Sequence, residues 1–157
     1  MLAQVVRTDG IWLQRRMIEL GMARVYSFPD NRRMTQALLY AEKEARLSVV
    51  GIWPLNYYRI RSSDPSRLAK DFGTMQVIEG VVSDVAKVRS RIYLNFGEDY
   101  RTNFTISIDR SAWSTFEDVN VDPLSLENRE IRVRGWVKDF NGPLVDVTHP
   151  EQIEILR

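Results

Sequence analysis

The chain has 157 residues, 44% hydrophobic and 27% charged, with no cysteine and a single histidine, His149. That is an ordinary globular composition in a chain long enough to bury a core. It excludes disulfide scaffolds, thiolate metal sites and CxxC redox chemistry, and argues against a multi-histidine metal site or a Ser-His-Asp hydrolase. No apolar run approaches the roughly 20 residues that span a bilayer, and the opening residues show no apolar signal-peptide region. The formal net charge of +1 is uneven. Residues 1–71 hold 12 Lys+Arg against 7 Asp+Glu, whereas residues 72–157 hold 10 against 14. The split points to two units and makes the first the better match for a polyanion. Mutual attraction of the two surfaces explains it equally well.

Leu2–Arg7 reads as a short strand and Thr8-Asp9-Gly10 as a turn. From Ile11 the period becomes helical, with Leu13, Met17, Ile18 and Leu20 recurring and Gly21 as a stop. Ala23–Phe28 reads as a second strand. A longer helix follows Asp30-Asn31, with Met34, Leu38, Ala41, Ala45 and Val49 on one stripe and Gly51 at its end. The small Ala41 and Ala45 predict close packing on a sheet. Residues 56–71, with Ser62-Ser-Asp-Pro65, read as a linker.

After Phe72 the period is two. Strand runs fall at Met75–Val88, Arg91–Phe96, Asn103–Ile108, Glu130–Phe140, Leu144–Val147 and Ile153–Leu156, with a helical insert from Ser111 carrying Trp113 and Phe116. Short strands with a helix between the third and fourth match the five-stranded OB-like Greek-key barrel; a small β-sandwich is the alternative. The expected fold class is α+β, mostly β, divided as 1–55, a linker over 56–71, and a barrel over 72–157.

Alternation places Arg91, Tyr93 and Asn95 on the outer face of one strand and Arg132, Arg134 and Trp136 on that of another, with Asn103 and Thr105 also outward. Aromatics among arginines are what base stacking and phosphate contact need. Cross-strand pairing on a solvated face gives the same pattern. A second basic cluster is Arg15, Arg16, Arg24, Arg32 and Arg33, which is also what a solvated helix face contains. The acidic pairs Glu98-Asp99 and Glu117-Asp118 read as solvated turns, since neighbours on a strand face opposite ways. His149 before Pro150 reads as a turn residue.

Residues 1–53 resemble the C-terminal half of a staphylococcal-nuclease-like (thermonuclease) domain. The resemblance is carried by Asp9-Gly10, Glu19-Leu-Gly-Met-Ala23, Arg24-Val-Tyr26, Ala41-Glu-x-x-Ala-Arg46 and Gly51-Ile-Trp53. Arg91-x-Tyr-Leu-Asn-Phe-Gly97, Arg132-Val-Arg-Gly-Trp136 and His149-Pro-Glu-Gln-Ile153 are similar to the barrel-like extension of some bacterial members. For that family the resemblance implies calcium-dependent phosphodiester cleavage, with acidic calcium ligands, a glutamate that handles the attacking water, and two arginines on the phosphate. By the same alignment all of these precede the equivalent of Leu2. The resemblance thus implies a truncated, non-catalytic chain with no catalytic residue, metal site or cofactor of its own; calcium is expected only for a full-length parent. The expected partners are single-stranded nucleic acid and a second copy through the exposed edges of residues 1–53, with no membrane. A protein-interaction module is the alternative.

Overall fold

The computed structural model describes residues 3–156. The chain divides into two compact units, Met1–Arg59 and Ile60–Arg157.

The first unit rests on two helices. At Thr8-Asp9-Gly10 the chain turns tightly: the Arg7 amide donates to the Ile11 carbonyl and the Gly10 amide to the Arg7 carbonyl, each at 2.9 Å. Helix α1 spans Leu13–Glu19 and stops where Gly21 takes a φ of +65°. Helix α2 spans Thr35–Leu47. It ends before the apolar stripe does, because Val49 adopts a φ of +52°. Met34 and Val49, the ends of the stripe, are exposed, while Ala41 and Ala45 are buried. Ile18, Val25, Leu39 and Ala41 form a small core.

Two expected strands do not form. Of Leu2–Arg7, Leu2 lies outside the described residues, and the remainder makes one isolated bridge, Val6 to Trp12. Ala23–Phe28 has only the bridge from Phe28 to Asn31. A ladder needs a neighbour to take alternate backbone groups. Here the Val25 amide donates instead to the Glu42 carboxylate on α2. The alternation of Ala23 and Val25 records one-sided burial in the helical core. Accordingly α2 packs on α1, not on the sheet that its alanines predict.

Much of the segment read as a linker is folded into the second unit. Strand β1, Arg61–Ser62, pairs parallel with β2, Met75–Val81. Helix α3, Pro65–Leu68, is capped by Asp64, which accepts the Ser66 amide at 2.9 Å. Arg61 donates to both Asp71 oxygens, at 2.8 and 3.2 Å, and Leu68 joins the main core. A two-residue strand and a four-residue helix are too short to show a period in sequence.

The barrel closes as its strand order requires. β2 and β3, Asp84–Val88, are two halves of one bent strand. β2 pairs antiparallel with β6, Glu130–Asp139, and β3 antiparallel with β4, Arg91–Asn95. The change of partner falls at the bend: the Val82 amide donates to Arg129 and the Ser83 amide to Asn95. β4 pairs with β5, Thr105–Asp109; β5 runs parallel to β7, Pro143–Val147; and β7 pairs with β6. With β2 and β3 counted as one strand, five strands close a ring with a single parallel pairing, the OB-like arrangement. A ring that closes excludes the open sandwich. Helix α4, Trp113–Glu117, lies between β5 and β6, and β8, Ile153–Ile155, adds to β6. Inside sit Ile78, Ile92, Leu94, Ile106, Val133 and Val145, with Phe104 and Phe116 among them.

Candidate nucleic-acid interface

Alternation along β4 sends Ile92 and Leu94 inward and Arg91, Tyr93 and Asn95 to the outer face. Tyr93 lies opposite Ala86 on β3 and Ser107 on β5; Asn95 lies opposite Asp84 and Thr105. A cavity of about 530 Å³ opens here. Its apolar lining includes Ala86, Tyr93, Tyr100, Phe140 and Leu144; Asp84, Asn95, Glu98 and Thr105 supply polar groups.

The turn between β6 and β7 helps to form the rim. Asn141 and Gly142 both take positive φ, +52° and +89°, as an Asn-Gly pair readily does. Gly142 lies so close to the 97–103 loop that an added Cβ would be 2.7 Å from the Thr102 carbonyl oxygen. Below the rim runs a polar chain. Asn95 Nδ2 donates to Asp84 Oδ2 at 3.0 Å. The Thr105 hydroxyl lies 3.2 Å from Asn95 Oδ1 and 3.1 Å from Asn103 Oδ1, and its one proton serves one acceptor at a time. Asn95, Asn103 and Thr105 are buried, although alternation predicts solvated side chains for all three. Their mutual hydrogen bonds and the neighbouring loop close over them.

Arg91 is engaged on the barrel surface. It donates to the Ser107 hydroxyl at 2.8 Å and lies 3.4 Å from Asp109 and 3.5 Å from Asp146. The Ser111 amide, then the Ser111 hydroxyl and Arg91, hold the Asp109 carboxyl below its ordinary value. Arg132, Arg134 and Trp136 lie on β6, which is not a neighbour of β4. The six residues therefore fall on two separate walls. Arg132 reaches Glu79 at 2.8 Å and Glu154 at 3.0 Å, and Arg134 reaches Glu154 at 2.7 Å. Arg134 is only 3% exposed, although alternation predicts a solvated side chain. Glu154 on β8 covers it, and the Gln152 amide donates to its carbonyl at 3.0 Å. Trp136 is half exposed.

In the first unit Arg15 and Arg16 both pair with Glu19, at 2.8 and 3.5 Å. Arg24 lies over the Tyr58 ring at 5.2 Å. Arg32 is half-buried and Arg33 exposed. Elsewhere, Asp99 accepts the Arg101 amide at 3.1 Å, as a turn carboxylate does. His149 is buried, with Nδ1 2.9 Å from the Thr148 hydroxyl. Among the described residues no group of three or more His, Asp or Glu could hold a metal ion. Sequence reasoning missed Asp84, Glu98, Tyr100 and Phe140 as cavity residues. Glu98, Tyr100 and Phe140 lie beyond strand ends and Asp84 at one, where no alternation points to a face.

The second unit is thus an OB-like barrel with an aromatic cavity on its outer wall. Residues 1–54 match a family model described as "Staphylococcal nuclease homologue", so the first unit is staphylococcal-nuclease-like, as its residues predict. No curated protein matches the chain. Similar solved structures include an aspartyl tRNA synthetase from Entamoeba histolytica, 12% identical with a TM-score of 0.45, over 65% of this chain and 22% of that one. An asparaginyl-tRNA synthetase from Pyrococcus horikoshii is 20% identical with a TM-score of 0.40, over 60% and 21%. The "OBody AM1L10 bound to hen egg-white lysozyme" is 13% identical with a TM-score of 0.43, over 63% and 96%. The match spans about a fifth of each of these two synthetase chains. The barrel assignment rests on strand order, not on these likenesses.

Proposed function

We propose that this chain binds single-stranded nucleic acid through the outer face of β4 and does not cleave it. One observation carries the reading: the aromatic cavity takes in the outer face of the second and third barrel strands, at Tyr93, Asn95 and Thr105, together with Asp84 and Ala86 on the first, and is bordered by the turn between the fourth and fifth. That is the surface on which OB folds take oligonucleotides. Stacking rings support contact with bases. The carboxylates beside Arg91, Arg132 and Arg134 make phosphate contact a minor part of binding. The non-cleaving part of the proposal is supported only by the resemblance, which matches no residue of this chain to the calcium ligands, glutamate or phosphate arginines.

Fluorescence anisotropy of the full chain with a labelled single strand tests the reading. Tyr93→Ala is expected to weaken binding about tenfold, the loss of one stacked base. Because few phosphates are neutralised, affinity is expected to fall only slightly with salt. Equal affinity of Tyr93→Ala and the parent chain overturns it, as does calcium-dependent cleavage by the pure protein.

A second reading, self-association through residues 1–53, is favoured by the exposed apolar side chains of Met17, Tyr26, Phe28, Tyr40 and Val49. Light scattering decides it: a monomer at all concentrations removes it.

A further inference from the structure

We propose that the cavity on the outer face of β4 selects guanine, with the Asp84 carboxylate gripping the base by its two adjacent donors. This rests on the nucleic-acid reading above and names the base that the site prefers.

The argument is chemical complementarity. An ionised carboxylate is acceptor-only, with about four lone-pair sites on its two oxygens. Asn95 occupies one of them. Thr105 in turn contacts the Asn95 amide oxygen, which leaves the amide nitrogen directed at Asp84. The carboxylate is thereby oriented from beneath while its side chain remains exposed at the cavity. Guanine alone among the bases offers two neighbouring donors, N1–H and N2–H, which match two carboxylate oxygens as an arginine fork does. Adenine and cytosine put a ring acceptor beside their amino group, so one oxygen would face a lone pair. Thymine has one donor flanked by two carbonyls.

The remaining lining fits a purine. Ala86 is two residues from Asp84 on the same face of β3 and lies opposite Tyr93. Tyr93, Tyr100 and Phe140 offer rings for stacking. Asp84 and Glu98 repel phosphate, so the sugar–phosphate backbone must run outside the cavity. Arg101, exposed and placed over the Tyr100 ring at 5.5 Å, is the cation at that margin.

The test uses the full chain and short thymine strands carrying one central dG, dA, dC or dI, with the all-thymine strand as reference. The dG strand is expected to bind about tenfold more tightly than the dA, dC and all-thymine strands, and dI, lacking the N2 amino group, to fall between. Asp84→Asn is expected to erase the dG preference, so that the dG and all-thymine strands bind this variant equally. Equal affinity for all five strands, or a dG preference that survives in Asp84→Asn, overturns the guanine assignment and leaves the binding reading intact. Failure to bind any strand overturns both. Displacement of a bound strand by an arginine-rich peptide, with no preference among bases, assigns the cavity to a cationic side chain instead.

Discussion

Gly21 and Gly51 meet backbone against backbone. The Gly21 carbonyl accepts the Ile52 amide at 2.8 Å, and the two residues take φ of +65° and +62°. A Cβ on Gly51 would run into the Gly21 carbonyl, and one on Gly21 into the Val50 carbonyl. Alanine at either position therefore meets both left-handed strain and a backbone collision that no rotamer relieves. Gly21→Ala or Gly51→Ala is expected to destabilise the first unit by at least about 2 kcal/mol, read from hydrogen exchange at Val25 and Ile52. Gly10 supplies the control. Its φ is +86°, but nothing lies within 4 Å of an added Cβ, so Gly10→Ala should cost only about 1 kcal/mol.

Glu42 holds the extended segment to α2. Its buried carboxylate accepts the Val25 amide and pairs with Arg46 at 3.5 Å, while Arg46 also lies over the Trp53 ring. Removing the carboxylate takes an acceptor from the Val25 amide and an anion from beside the largely buried Arg46. Glu42→Ala is expected to cost about 3 kcal/mol, and Glu42→Gln less, since an amide oxygen can still accept the Val25 proton. Urea unfolding gives the totals. A loss of protection at the Val25 amide in both variants, larger in alanine, locates the cause.

The barrel was legible because the runs Arg91–Phe96, Asn103–Ile108 and Glu130–Phe140 alternate, and because the turn at Asn141-Gly142 is written in the residues that form it. What misled was alternation without a partner. Ala23 and Val25 alternate because one side packs on helices, and no rule of period separates that from a ladder. The candidate face was legible strand by strand, but not as a whole. Period two fixes which side of a strand Arg91 or Arg132 occupies; it does not say that β4 and β6 lie on different walls. Nor does it reveal that Glu79, Glu154 and Asp146 stand beside the arginines, since those pairings depend on register. The cavity itself depends on Tyr100 and Phe140, which turns deliver.

That division between walls has a measurable consequence. Arg132 bridges Glu79 on β2 and Glu154 on β8, and Arg134 shares Glu154. These contacts tie β8 to the barrel and face no part of the β4 cavity. Arg132→Ala is expected to lower stability by about 2 kcal/mol, as a carboxylate loses its partner, with oligonucleotide affinity unchanged at temperatures where the variant is folded. Tyr93→Ala should do the reverse. A binding loss in Arg132→Ala would instead assign the β6 wall to the interface.

Asp64 and Asp109 each close a short helical turn, and each is held below the ordinary carboxyl value of 3.8. The order of causes differs. For Asp64 the Ser66 hydroxyl contributes most, followed among the lowering contacts by the backbone amide of Ser66; for Asp109 the Ser111 amide leads and its hydroxyl follows. A depressed folded value means that the contribution of each cap to stability is complete above 3.8 and is lost as pH falls through the lower folded value. Ser66→Ala is expected to move the Asp64 midpoint up towards 3.8, because it removes the largest of the contacts that lower it. Ser111→Ala should move Asp109 less, because substitution cannot remove a backbone donor. Carboxyl-carbon NMR titration of both residues reads the two midpoints directly. A larger shift at Asp109 than at Asp64 would contradict the assignment of backbone and hydroxyl roles.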